Sequence, residues 1–136
     1  MALTHLLDTS VYSQPVRDTP MECVMIRWSA LGEDAVCISA LVHAEIWQGL
    51  VARDSNKFWS RYRELLEGHY PVLPFDERVA ETHGRLVVEL QKAGKPKPIA
   101  DLMIAATARH HNLTIATLNL KDFSGIPGVR VEFWGD

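Results

Sequence analysis

The chain is short of thiols, of positive charge and of long apolar runs, and each shortage removes a class of protein. Its 136 residues include two cysteines, Cys23 and Cys37, set among apolar neighbours such as Val24, Met25, Val36 and Ile38. A disulfide framework or a zinc site needs more ligands than that, so both thiols are expected in the core. No stretch approaches the roughly 18 apolar residues of a membrane span. The first ten residues hold Asp8 and no Lys or Arg, which does not fit a secretory signal. Familiar nucleotide and hydrolase loops are missing too. There is no G-x-x-x-x-G-K-S/T sequence, Gly125-Ile126-Pro127-Gly128 does not make a dinucleotide fingerprint, and no serine sits in a G-x-S-x-G elbow. A cytoplasmic domain with no membrane contact is the expectation.

What is present fits one folded domain, residues 1–136. With 47% hydrophobic and 23% charged residues, the chain can bury a core and is not disordered. The 14 basic and 17 acidic residues leave a formal charge of −3, which speaks against a nucleic-acid surface if the acids are spread evenly. If four of those carboxylates gather in one cleft, the remainder is balanced and the rim of that cleft is free to be basic.

Short apolar runs alternate with helical patterns. Leu3 to Leu7 reads as a first strand ending at Asp8. Thr19-Pro20-Met21-Glu22 has the form of a capping box that opens a helix to Leu31, stopped by Gly32. Ala35 to Ile38 is a short buried strand, and Ser39 caps a helix over about 40–53. Ser55 opens a helix over about 56–67, whose Phe58, Trp59, Tyr62, Leu65 and Leu66 form one broad apolar face. These aromatics, with Trp47, are read as core rather than as a base-stacking platform. Tyr70 to Phe75 is strand-like, with Pro71 and Pro74 limiting it to an edge. Asp76 caps a helix from Glu77 to Ala93, closed by Gly94, and Lys95-Pro96-Lys97-Pro98 is a stiff basic turn. A helix over 99–111 follows, ending in His110-His111, which suit the negative end of its dipole. Strands Leu113 to Leu118 and Val129 to Trp134 complete the chain, with one short turn between them. Strands separated by helices predict an α/β fold: a mostly parallel sheet of four to five short strands flanked by helices on both faces.

Several acids fall where such a fold has its core or its ligand edge. In open α/β sheets that edge lies beyond the carboxyl ends of the strands. Asp8 stands there, directly after the first strand, as a ligand or as a helix cap. Glu45 shares a helical stripe with Val42, Ile46, Gly49 and Leu50, and no Lys or Arg lies within one turn. An ionised carboxylate on that stripe needs a cation or a distant arginine. Asp101 opens a helix that continues Leu102-Met103-Ile104-Ala105-Ala106, apolar nearly all round; its other reading is a first-turn acid favoured by the helix dipole. Asn119 and Asp122 follow the fourth strand, and Asp122 serves equally to solvate the turn. Oxygen donors with few nitrogens or thiolates suit Mg²⁺ or Mn²⁺, and such a site fits hydrolysis of a nucleic-acid backbone.

Four segments, in order, resemble the motifs of the PIN-domain ribonucleases. They are Leu6-Leu7-Asp8-Thr9-Ser10-Val11, Ser39 through Glu45 to Gly49, Asp101 to Ala106, and Thr117-Leu118-Asn119-Leu120-Lys121-Asp122-Phe123. The short length and the closing Gly128-Val129-Arg130-Val131 to Trp134 are similar to the VapC toxins of bacterial toxin–antitoxin pairs. The resemblance implies a single PIN-like domain in which Asp8, Glu45 and Asp101 are catalytic metal ligands for Mg²⁺ or Mn²⁺. Some members carry Asp where this chain has Asn119, which leaves Asp122 as the available fourth acid. Ser10 stands where many members have Asn, and Leu118 where many have Arg. The resemblance further implies a homodimer, an RNA substrate, and a small antitoxin that covers the cleft, often inserting a basic side chain.

The leading expectation is therefore a divalent-metal-dependent endoribonuclease acting as a toxin. Asp8, Glu45, Asp101 and Asp122 would be catalytic, with Asn119 also near the metal. Thr9 and Ser10 are expected either to contact phosphate or water through their hydroxyls or to cap the turn. Lys95, Lys97 and Arg109, which flank Asp101, are candidates for phosphate contacts or for plain solvated surface. A phosphoaspartyl enzyme fits poorly, because Ser10 occupies the place of the second acid a haloacid-type phosphatase needs. The alternative outside enzymology is a catalytically degenerate PIN-like domain that binds RNA or a protein, with Asn119 as its main support.

Overall fold

Apolar strand residues and amphipathic helices assemble, in a computed structural model that describes residues 2–136, into one five-stranded sheet and seven α-helices. Strands β1 (His5–Leu7), β2 (Val36–Ser39), β3 (Val72–Leu73), β4 (Thr114–Thr117) and β5 (Arg130–Phe133) lie in the order β3-β2-β1-β4-β5, all neighbouring pairs parallel. The three inner strands are buried on both faces, as parallel sheets require: Leu6, Leu7, Val36, Cys37, Ile38, Ile115 and Ala116 are all withdrawn from solvent. β3 is a two-residue edge piece, as the flanking prolines predict.

The helices are α1 (Thr9–Tyr12), α2 (Glu22–Leu31), α3 (Ala40–Arg53), α4 (Asn56–Leu65), α5 (Glu77–Lys92), α6 (Ile99–His110) and α7 (Leu120–Phe123). From β1 the chain steps outward to β2 and β3. It then crosses back through α5 and α6 to β4, on the other side of β1, and ends at β5. With right-handed crossovers, steps in opposite directions place their helices on opposite faces of the sheet. The direction reverses between β1 and β4, and a crevice opens beyond their carboxyl ends at such a switch point. Asp8 and Leu118-Asn119 emerge there.

Local signals explain most boundaries. Ser39 caps α3 by accepting from the Val42 N–H at 3.2 Å, and Asp76 caps α5 by accepting from Val79 at 3.0 Å. Gly94 closes α5 with φ +70°, a conformation glycine adopts without steric cost.

The structure corrects some of the other readings and bears out others. The capping box at Thr19 does not form: α2 begins at Glu22, its cap position is Met21, and no side chain caps it. The Met21 N–H is instead taken by the Gln14 amide oxygen at 2.9 Å, a tertiary contact that overrides the local signal. Cys37 is buried, and desolvation pushes its thiol up to about 12. Cys23 is only half-buried, its Sγ donating to the Gly135 carbonyl at 3.1 Å. Desolvation and the neighbouring His110 lower the pKa of His111, which weakens its charge as a complement to the dipole. Of the aromatics, Tyr62 is core, Phe58 and Trp59 are half-buried, and Trp47 is 40% exposed, edge-on to Trp59 at 5.1 Å.

Candidate active site

Asp8 is the residue on which the crevice is built. It follows β1 directly, caps α1, and is only 5% exposed. Its Oδ1 accepts from the Ser10 hydroxyl at 2.6 Å and from the Val11 N–H at 3.2 Å, while Oδ2 accepts from the Thr117 hydroxyl at 2.5 Å. Those hydroxyls are themselves anchored: Ser10 Oγ accepts from the Leu118 N–H at 3.0 Å, and Thr117 Oγ1 from the Asn119 N–H at 2.9 Å. The ends of β1 and β4 are thus tied together through the carboxylate. Burial raises the pKa of Asp8 above the usual carboxylate range, and the hydrogen bonds offset only part of that rise.

Glu45 reaches the same crevice from α3. It lies at the margin of the buried stripe formed by Val42, Ile46 and Leu50, half-buried, and its Oε1 accepts from the Thr9 hydroxyl at 2.5 Å. Asp101 enters from the first turn of α6, half-buried. Desolvation raises its pKa, followed by the negative charge of Asp122, Glu45 and Asp8, with Lys97 opposing. Four acids from four separate elements therefore share one electrostatic field. Asp122, in α7, is exposed and donates its backbone N–H to the Asn119 carbonyl at 3.0 Å. Asn119 is exposed at the cap position of α7, where its side chain makes no capping bond.

The donor set is all oxygen, with one lysine against four carboxylates. Among the described residues, no three His, Cys, Asp or Glu side chains are close enough to form a ready-made metal cage. Acids that repel one another stand apart, and a hard cation such as Mg²⁺ needs only one or two of them directly because it keeps several waters. The chemistry of the donor set fits such a cation, which would relieve the repulsion that raises Asp101.

The remaining sequence candidates separate. Thr9 and Ser10 each spend their one hydroxyl proton on a carboxylate, Glu45 and Asp8 respectively, so they hold the acids and have no donor left for phosphate. Lys97 stays at the rim: it acts on Asp101 through charge and donates to the Lys121 carbonyl at 2.9 Å. Lys95 is exposed on the same loop. Arg109 does not belong. It lies eight residues along α6 from Asp101, about 12 Å of helix, pairs with Glu89 at 3.3 Å and donates to the Pro127 carbonyl at 3.2 Å. Sequence reasoning missed Thr117 as a site residue. Its signal was a hydroxyl at the carboxyl end of a strand, immediately before the turn that carries Asn119.

Comparison with known proteins agrees with this geometry. The PIN domain family matches residues 5–128. Toxin FitB of Neisseria gonorrhoeae is 36% identical over 96% of this chain and 99% of its own length. The tRNA(fMet)-specific endonuclease VapC of Salmonella typhimurium is 30% identical over 97% of this chain and 98% of its own. The crystal structure of DNA-bound VapBC from Salmonella typhimurium superposes with a TM-score of 0.82 at 30% identity, covering 97% of this chain and 98% of that one.

Proposed function

The chain belongs to the PIN-domain family, and from that premise we propose that it is a divalent-metal-dependent endoribonuclease, the toxin of a toxin–antitoxin pair. The observation that carries the reading is the shared field at Asp101, where Asp122, Glu45 and Asp8 all oppose its ionisation. The fold does not need four acids at one sheet edge, and a divalent cation would offset their mutual repulsion. The VapC relative supports RNA as the substrate, and FitB and VapBC support the toxin role and a small antitoxin partner. No helix among the described residues is long and apolar enough to cross a membrane, and the cytoplasm is proposed as the place of the reaction. A homodimer is part of the same proposal.

Asp8, Glu45 and Asp101 would hold Mg²⁺ or Mn²⁺, with Asp122 and Asn119 beside them. When bound, the cation supplies the charge that activates water and offsets charge developing on the phosphodiester. The protein's own residues prepare the place for it. Ser10 and Thr117 fix the two oxygens of Asp8, Thr9 fixes Glu45, and Lys97 offers a cation at the rim for the RNA backbone. The degenerate-module reading rests on Asn119 alone, whereas the other acids are present and electrostatically coupled.

The test is cleavage of total RNA and of purified tRNA by the wild-type protein and Asp101→Asn, with Mn²⁺ or Mg²⁺ against EDTA. Discrete fragments are expected from the wild type alone, and EDTA should suppress them. RNA bound but never cut with either metal would overturn the enzyme in favour of the binding module.

A further inference from the structure

The loop that leads into α6 and the short helix α7 carry two of the acids, and a lysine joins them. The loop is stiff for local reasons. The Lys95 N–H is held by the Leu90 carbonyl at 2.9 Å, and Pro96 and Pro98 restrict the backbone on either side of Lys97. Pro98 is also the cap position of α6, which puts Asp101 in the first turn after the loop. α7 is the opposite case. Leu120–Phe123 is a single turn, too short to be stable alone, and its cap residue Asn119 makes no side-chain bond to it. Phe123 anchors the turn in the core, while Leu120, Lys121 and Asp122 are exposed. Asp122 is the largest of the charges that oppose ionisation of Asp101, so repulsion pushes α7 away from the start of α6. The half-buried Lys97 counters this, because its Nζ donates to the Lys121 carbonyl at 2.9 Å. Among the described residues that carbonyl accepts from no other donor.

We propose that Lys97 is a positioning residue, a latch that holds α7 in place and keeps Asp122 beside Asp101. The inference rests on the cation-dependent ribonuclease reading and adds to it the residue that sets the spacing of two acids. An ammonium has three N–H donors, so one serves the latch and two remain for the RNA backbone. The charge of Lys97 and its latch act on a bound cation in opposite directions. A positive charge at the rim repels Mn²⁺, and its removal alone would raise the affinity by about 3-fold through water. Loss of a group that orients a metal ligand instead lowers the affinity by about 10- to 100-fold. The sign of the change tells the two roles apart.

Lys97→Met keeps the apolar stem and removes the ammonium, and Lys97→Arg keeps both charge and donor. Mn²⁺ affinity is measured without RNA by electron paramagnetic resonance, in these variants, in Asp122→Asn and in the double variant Lys97→Met/Asp122→Asn. Amide hydrogen exchange at Asp122 and Ser124, whose N–H groups close the turn on Asn119 and Leu120, reports on α7 in EDTA. Lys97→Met should bind Mn²⁺ about 3- to 30-fold more weakly than wild type and exchange those amides faster. Lys97→Arg should match wild type. With Asp122→Asn already in place, Lys97→Met should no longer weaken binding, because the latch acts through that carboxylate. Unchanged exchange or tighter Mn²⁺ binding in Lys97→Met would overturn the latch, as would equal weakening with and without Asp122. Wild type that binds Mn²⁺ but cuts no RNA would overturn the ribonuclease reading while the latch stands. Faster exchange in Lys97→Met, beside a wild type that binds no Mn²⁺, would overturn the cation site and leave Lys97 as the residue that holds α7.

Discussion

At the scale of the residue, Asp8 shows what the site costs and how it is maintained. A carboxylate this deeply buried is disfavoured unless its oxygens are satisfied, and Ser10, Val11 and Thr117 satisfy them. Its pKa in the folded chain lies above the ordinary 3.8, as does that of Asp101. The folded state therefore holds those protons more tightly than the unfolded state does. Stability from these two groups is greatest below the ordinary carboxylate range and falls as pH rises through the raised values. Cleavage has the opposite dependence, because only ionised acids attract a cation, so activity should fall as pH drops toward those values. Thr117→Val, which keeps the shape and removes the donor to Oδ2, is expected to push Asp8 up further. The acid limb of the pH–rate profile should move to higher pH and cleavage should fall about 10- to 100-fold. A Thr117→Ser variant should restore the profile. An unmoved acid limb in Thr117→Val would remove Thr117 from the support of Asp8.

At the scale of the element, each acid is aimed by the start of a helix or the end of a strand. Ser39 caps α3, and Glu45 follows it less than two turns on. α6 brings Asp101 to the carboxyl edge of the sheet with its first turn and sends Arg109 to the other end. There Arg109 holds α5 through Glu89 and the loop before β5 through the Pro127 carbonyl. Arg109→Ala should therefore leave RNA cleavage unchanged while lowering stability by about 0.5–1 kcal/mol in a denaturant titration. A loss of cleavage at unchanged stability would return Arg109 to the site. The same elements show what the sequence made legible. Periodicity and caps marked β1, β2, α3 and α5 closely, and the three acids at strand ends and on buried helix stripes were visible because a carboxylate is out of place there. The Thr117–Asp8 bond was not, because it depends on β1 pairing with β4 in the register that sets Leu7 opposite Ala116. The distance of Arg109 was legible: in a helix over 99–111 that Asp101 opens at the crevice, eight residues put Arg109 about 12 Å away at the other end. The failed capping box at Thr19 has the same origin as the missed Thr117–Asp8 bond, a tertiary contact: a distant glutamine takes the local donor.

At the scale of the whole molecule, a net charge of −3 conceals a division of charge. The acids meet at the switch point between β1 and β4, and Lys97, with Lys95 on the same loop, stands at their rim. Such a surface draws a polyanion by its rim and a cation to its centre, and the parallel sheet holds the two in fixed relation. The centre is proposed as a cation site made jointly by residues from separate elements. Titration of Mn²⁺ followed by electron paramagnetic resonance, on the wild type and on Asp101→Asn, tests it most directly. Bound Mn²⁺ is expected in the wild type and not in the variant, whose thermal midpoint should be unchanged or higher because carboxylate repulsion is relieved. Absence of binding in the wild type, or equal binding in both proteins, would contradict the account.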